Sequence, residues 1–454
     1  MKVKRPPELL AVGQIPGDAL TATFPLVSIV NEKGQYLHWD ALRHRIPAGI
    51  NPQIFWSLTT IVRRANGRLL TLNGYDFNQL AFLNITPQMQ QTISMVDRLA
   101  TSGGESELLE PLFASRHLLE ELRAEESISS SQLEGAATTS RVALEMIKVN
   151  RAPRDESEKM IMGNFHMMEY VNAHCSEDLS LANFKELHAI AVGEINDQKY
   201  RPGEFRHSDD VVVADIQNEI IHNPPTYTEV ELRLSLLFKW ANQSHERLEG
   251  KEYLHPLIKA CILHFMIGFI HPFNDGNGRA ARALFYWYML RCGYSAFRHI
   301  SISKLLKNAS TAYAKSYCYS ETDDMDLTYF VDYQCSIVGR ALNEYVDYIH
   351  HMVKVRDELN RFLYESDIGA TLNERQKNLL NVAFARPENI FTVAEVRERL
   401  GVSDNTARKD LTVLAELGLL RTHKDGKETV YVSPKSLPQV SQWKNQARPK
   451  GSAW

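Results

Sequence analysis

The sequence predicts a mainly α protein. A helical bundle interrupted by one β-hairpin follows an N-terminal α+β segment and precedes a small helical module that ends in strands. Three observations carry this prediction. From Leu108 to about His350 apolar residues recur at three- and four-residue spacing, as in Ile161, Phe165, Met168 and Val171, the period of a helix with one buried face. Within that stretch Val211–Val213 and Ile220–Ile221 flank a polar Asp215–Asn218, the pattern of a short hairpin. After Thr371 the rhythm changes to three short helices followed by two strand-like runs.

Taken in order, Phe24–Val30 reads as a strand and Asn31-Glu32-Lys33-Gly34 as a turn. Pro52–Arg64 and Pro87–Leu99 read as helices, and Thr101-Ser102-Gly103-Gly104 as a break before the bundle. Leu181, Phe184, Leu187 and Ile190 mark a further helix. Near the C-terminus Glu374–Ala385 forms a helix stopped by Arg386-Pro387, Thr392 caps a second that ends at Gly401, and Ser403 caps a third that ends at Gly418. Arg421–His423 and Thr429–Val432 then pair around Lys424-Asp425-Gly426-Lys427. This is a winged helix-turn-helix pattern. The expected domains are an N-terminal cap at 1–104, a helical core at 105–352, the winged helix at 371–435 and a tail at 436–454.

Of the 454 residues 44% are hydrophobic, enough apolar surface to exclude disorder as the main state. The net charge of −4 excludes a uniformly basic nucleic-acid binder. That total hides a split, because residues 371–454 hold 14 basic and 9 acidic side chains and the rest of the chain carries −9. Five scattered cysteines without a Cys-x-x-Cys pair read as reduced, buried thiols. The basic Met1–Pro7 lacks a following apolar run, and the apolar Cys261–Ile270 is interrupted by His264 and too short to span a bilayer. A soluble, cytoplasmic protein with no membrane partner is expected.

The densest chemistry lies at His271-Pro272-Phe273-Asn274-Asp275-Gly276-Asn277-Gly278-Arg279-Ala280-Ala281-Arg282, between two apolar helical runs. A Gly-Asn-Gly turn that opens a helix presents free N–H groups at the positive end of the helix dipole, a ready anion site. Arg279 and Arg282, three residues apart, project toward the same anion. Asp275 beside such a cradle is suited to magnesium, which takes one or two carboxylates and completes its shell with phosphate oxygens. His271 has the pKa range of a general base.

This segment resembles the signature of the Fic family, His-x-Phe-x-(Asp/Glu)-Gly-Asn-Gly-Arg-x-x-Arg, at every defined position. The resemblance implies AMP transfer from ATP to a Ser, Thr or Tyr hydroxyl of a target protein. In that scheme His271 deprotonates the hydroxyl, Asp275 holds Mg2+, Gly276, Asn277 and Gly278 cradle the phosphates, and Arg279 and Arg282 neutralise them. Phe273 anchors the loop. Gly203-Glu204-Phe205-Arg206 and the segment to Pro225 resemble the family's lead-in and hairpin flap, along which a target segment could align by strand addition. Val212 of that flap and Tyr313 are the implied nucleotide contacts; Tyr313 and Tyr317 fit a core stripe equally well.

Upstream, Ser130-x-x-x-Glu134-Gly135 resembles the family's inhibitory motif, on a helix expected at about 125–140. Here Glu134 is expected to pair bidentately with Arg282 and to block the place of the γ-phosphate. In the winged helix, Asn405, Arg408 and Lys409 are the candidate contacts to double-stranded DNA, with Lys424 and Lys427 on the wing; a protein or homodimer contact is the other reading. A nucleotide-responsive DNA-binding regulator and a bifunctional enzyme that also removes AMP stand as alternatives to a self-inhibited adenylyltransferase.

Overall fold

A computed structural model describes residues 3–70, 81–110, 119–195, 197, 199–214, 219–243, 253–366, 368–385, 390–425, 428–434 and 439–440. The chain divides into two compact units. The first comprises Met1–Glu105, Leu122–Ser140 and Pro153–Leu342, and the second Ser106–Glu121, Arg141–Ala152 and Asn343–Trp454.

The N-terminal part contains α1 (Gly17–Thr23), α2 (Trp39–Leu42), α3 (Pro52–Asn66), the antiparallel pair β1 (Arg68–Leu70) and β2 (Ala81–Leu83), α4 (Pro87–Leu99) and α5 (Ser102–Leu109). Asn51 and Thr86 cap α3 and α4, each with a proline at the first helical position, where its missing N–H is not needed. The expected strand at Phe24–Val30 is absent: Phe24–Leu26 is a tight helical turn, because Pro25 fixes φ and removes the N–H that a ladder needs. The expected break at Thr101–Gly104 is instead the start of α5. The Thr101 hydroxyl accepts from Gly104 N–H at 3.3 Å. A Cβ at Gly104 would lie 2.1 Å from the Arg98 carbonyl, so glycine here permits a close approach and does not interrupt the helix.

The central elements are α6 (Glu120–Leu133), α7 (Ser140–Lys148), α8 (Glu156–His174), α9 (Leu181–Val192), β3 (Val213–Ala214), β4 (Ile220–His222), α10 (Val230–Asn242), α11 (Pro256–Ile270), α12 (Asn277–Arg291), α13 (Ser303–Asn308), α14 (Ser310–Thr322) and α15 (Thr328–Glu365). The hairpin forms at the expected place, with Val213 opposite His222, Ala214 opposite Ile220 and a bulge between them; its turn, Asp215–Asn218, lies outside the described residues. Helices α11 and α12 make the core. Nearly every residue of both is buried, as expected where apolar side chains face all directions. The N-terminal part packs on this core: Phe82 N–H donates to Met325 at 3.0 Å, Leu327 N–H donates back to Phe82 at 2.8 Å, and buried Arg63 donates to the Tyr329 hydroxyl at 2.9 Å. The five cysteines are free thiols.

In the second unit α16 (Glu374–Ala385), α17 (Val393–Leu400) and α18 (Asp404–Glu416) precede β6 (Arg421–Asp425) and β7 (Glu428–Val432). Thr392 and Ser403 cap α17 and α18 with their hydroxyls, and Gly401 and Gly418 have the left-handed φ that ends each helix. One strand not expected from the sequence, β5 (Ile390–Phe391), pairs with β7 and makes the sheet order β5-β7-β6. Among the described residues no helix is long and apolar enough to cross a membrane.

Candidate active site

The site is built at the turn between α11 and α12. Helix α11 ends at His271, which adopts the left-handed conformation (φ 50°, ψ 60°), uncommon for a residue with a Cβ and a frequent mark of functional positions. The loop is held from three sides. Arg206 donates through Nε to the His271 carbonyl at 3.0 Å, and its backbone N–H donates to the Pro272 carbonyl at 2.8 Å. Phe273 is fully buried and stacks on His188 with ring centroids 3.6 Å apart. Asn277 closes the turn, its Oδ1 accepting from Phe273 N–H and its Nδ2 donating to the Phe273 carbonyl, both at 2.8 Å. The Asn277 side chain is therefore a staple of the loop. Only its backbone N–H remains as a candidate for the phosphate cradle.

His271 Nδ1 lies 3.2 Å from the Gly268 carbonyl, so the Nδ1–H tautomer leaves the Nε2 lone pair free to accept a proton. Burial pushes its pKa down to about 4, which keeps the ring neutral at physiological pH. His188 donates from Nε2 to the Asp275 carbonyl at 2.9 Å and accepts at Nδ1 from Gly203 N–H at 3.2 Å; burial lowers its pKa to about 4 as well. That carbonyl faces the left-handed Gly276 (φ 86°), which turns the chain into α12.

The two arginines of α12 are almost wholly buried. Arg279 donates from Nη1 to the Ala191 carbonyl at 3.2 Å, and its Nε and Nη2 have no hydrogen-bond partner among the described residues. Arg282 donates from Nε to Ser130 Oγ at 2.9 Å, and from Nη2 to the Ser130 carbonyl at 3.2 Å and to Glu134 Oε1 at 2.8 Å; its Nη1 has no hydrogen-bond partner among the described residues. Burial opposes the Arg282 charge most strongly, but Glu134, Tyr313 and Glu126 together offset this and raise its pKa. Buried donors left unpaired are costly, and here they point to an anion as their partner. Glu134 closes the last turn of α6, where Gly135 (φ 100°) lets the chain leave the helix at once. The expected bidentate pair is instead a single contact, because Ser130 takes the Nε side of the guanidinium. Glycine at 278 makes room for it: a Cβ there would stand 2.1 Å from Glu134 Oε1.

Part of this set borders a cavity of about 200 Å³, lined among others by Glu134, His222, His271, Gly278, Arg282 and Tyr317. A family model described as Fic/DOC family matches residues 178–289, the whole span from before α9 to near the end of α12. The chain carries a Fic/DOC family domain. Curated proteins named protein adenylyltransferase Fic, from Drosophila sechellia and Drosophila melanogaster, are each 31% identical over 136 residues. That is 30% of this chain and 25% of theirs, so the chain spans about a quarter of the length of the curated relatives it matches. A crystal structure of a Fic family protein from Desulfovibrio desulfuricans G20 superposes with a TM-score of 0.52 at 18% identity, over 77% of this chain and 97% of that one, a likeness of fold. A second family model, described as DeoR-like helix-turn-helix domain, matches residues 384–429.

Around the Fic motif, the two expected nucleotide contacts are placed differently from one another. Val212 is exposed, and its neighbours in the hairpin, Val213 and Ile221, line the cavity. Tyr313 is buried on a cavity wall, and its hydroxyl is committed to His264 Nε2 at 2.7 Å. Asp275 has one oxygen on Gly276 N–H at 2.6 Å and the other 3.1 Å from Lys199 Nζ. Residues beyond the motif complete the frame. His222 of β4 contacts Glu321 Oε2 through Nδ1 at 2.7 Å and the Phe269 carbonyl through Nε2 at 2.8 Å, tying the flap to α14 and to the end of α11. A histidine in the second flap strand was the sequence signal for this link.

In the winged-helix unit Asn405, Arg408 and Lys409 are exposed on α18, while Ala407, Leu411 and Leu414 are buried. Two acids of that helix are internally paired: Asp410 accepts from Asn373, Arg375 and Gln376, and Asp404 faces Arg397 at 3.2 Å. Lys424 is exposed, and Lys427 lies outside the described residues.

Proposed function

We propose that this chain is a self-inhibited protein adenylyltransferase that moves AMP from ATP to a hydroxyl side chain of a target protein and releases pyrophosphate. One observation carries the reading. Two buried arginines have N–H donors without a hydrogen-bond partner among the described residues, and one of them, Arg282, shares a cavity with His271 and is engaged by the Glu134 carboxylate at the end of α6. In this mechanism His271 Nε2 takes the proton of the target hydroxyl as its oxygen bonds to the α-phosphorus, while the bond to the bridging oxygen breaks and pyrophosphate leaves. The Nδ1–H contact to Gly268 holds the ring in the competent tautomer. Arg279 and Arg282 neutralise the leaving phosphates through donors that are pre-positioned, so little reorganisation accompanies the charge shift. The donors suit ATP, and Asp275, a single hard carboxylate beside the cradle, suits a magnesium ion that would withdraw charge from the phosphates. Glu134 on Arg282 sets the resting state, because it takes the donor that the terminal phosphate requires.

Glu134→Gly is expected to raise self-modification from labelled ATP and Mg2+, and His271→Ala in the same background to abolish it. Unchanged incorporation in the first variant would sink the proposal. The DeoR-like match and the exposed Asn405, Arg408 and Lys409 favour a second role, in which the winged helix binds duplex DNA.

A further inference from the structure

Helix α6 carries a buried acidic group that the inhibitory motif does not include. Glu126 is buried. Its Oε2 accepts from the Tyr286 hydroxyl at 2.8 Å, Ser301 Oγ at 2.9 Å and Ser303 N–H at 3.0 Å, and its Oε1 accepts from the Ser303 hydroxyl. Four donors on a carboxylate that forms no ion pair among the described residues make an expensive arrangement to bury unless position is what it secures.

Spacing shows what position that is. Glu126, Ser130 and Glu134 stand four residues apart and form one stripe on α6. Facing them, Gly278, Arg282 and Tyr286 form a stripe of the same spacing on α12. The pairs run in opposite order: Glu126 with Tyr286, Ser130 with Arg282, and Glu134 against Gly278 and Arg282. The two helices are therefore antiparallel, and a slide of one along the other would carry Glu134 off Arg282. Both hydrogen bonds at the Ser130 level involve Arg282 itself, the group that a nucleotide would claim. Glu126 alone of the stripe grips residues outside the anion site, on α12 and on the segment leading into α13.

We infer that Glu126 is the positioning residue that fixes the register of the inhibitory helix on α12, so that Glu134 meets Arg282. The inference rests on the proposed inhibitory role of Glu134. It gives two substitutions opposite outcomes. Glu126→Ala removes the anchor and releases Glu134. Glu126→Gln keeps it, because three of the four donors meet Oε2, which an amide oxygen replaces. The fourth is a serine hydroxyl that can rotate to accept from the amide N–H.

The test measures self-modification with labelled ATP and amide hydrogen exchange across residues 126–134, both on the full chain. Glu126→Ala is expected to raise transfer about tenfold, the shift that loss of one or two buried hydrogen bonds produces, and to speed exchange in the helix. Glu126→Gln leaves both near wild type. Combined with Glu134→Gly, the alanine variant adds no further transfer. Equal release by Gln and Ala, a gain that adds to Glu134→Gly, or exchange unchanged by Glu126→Ala would each overturn the inference. If Glu126→Ala does not fold, Ser301→Ala, which deletes one donor, is expected to shift both readouts the same way to a smaller extent, and no shift there overturns it as well. Should Glu134→Gly itself leave transfer unchanged, the proposed activity fails, and the exchange comparison of Ala with Gln still decides the role of Glu126.

Discussion

Arg279 and Arg282 of α12 are almost fully buried, whereas Arg408 and Lys409 of α18 stand in solvent. Both pairs open a helix and both invite anionic partners. The physics of the two sites nevertheless differs. A buried guanidinium has given up its water, so each donor must find a replacement, and the surroundings hold it in one geometry with Ser130, Glu134 or the Ala191 carbonyl. An exposed cation keeps its water and side-chain freedom, and it contributes mainly through the summed field of its neighbours. One arrangement demands a single ligand shape; the other tolerates many.

The largest test of that contrast is Arg282→Lys in the Glu134→Gly background. A lysine keeps the charge but supplies a point cation on a flexible stem in place of the planar fork. Transfer is expected to fall about 10²–10³-fold, the scale for loss of one pre-positioned donor to developing charge. Steady-state incorporation of labelled AMP measures it. A fall of only a few-fold would mean that charge alone suffices, and the buried site would then work like the exposed one.

A smaller effect with a change of sign comes from Gly278→Ala. With Glu134 present the new Cβ has only 2.1 Å to the carboxylate oxygen, so something must shift, at about 1–3 kcal/mol. With Glu134→Gly that neighbour is gone, and alanine inside a helix is favoured over glycine by up to about 1 kcal/mol. The melting temperature should therefore drop in the first background and hold or rise in the second. The same sign in both would separate Gly278 from the inhibitory contact.

How legible each site was in the sequence follows from the same contrast. The run from His271 to Arg282 was readable because each position answers a local demand: a left-handed turn at Gly276, a loop staple at Asn277 and two anion donors one helical turn apart. Glu134 and Gly135 were readable together as a helix end that carries a charge. Glu126 was not, since its partners lie 160 to 177 residues away and nothing in Arg123–Ser127 announces them. Lys199 on Asp275 was hidden for the same reason. Val213, next to the expected Val212, lines the cavity, a one-residue difference that a run of three valines does not reveal. The missing strand at Phe24–Val30 turned on Pro25, whose lost N–H outweighs an apolar run, and the two-residue β5 is too short to show any alternation.

The smallest expected effect belongs to the exposed pair. If α18 enters a DNA groove, Arg408→Ala should weaken binding to duplex DNA across unrelated sequences and reduce the slope of log affinity against log salt by about 0.9, the share of one phosphate contact. Titration at several salt concentrations gives both numbers. The internal pairing of Asp404 and Asp410 sharpens this expectation: two of the acids on that helix face their own unit, so the outward field of α18 is more positive than its composition suggests. A loss confined to one sequence, with the slope unchanged, would instead make Arg408 a reader of base edges. It would then resemble the buried arginines, bound to one partner in one geometry, and exposure would cease to be what separates the two sites.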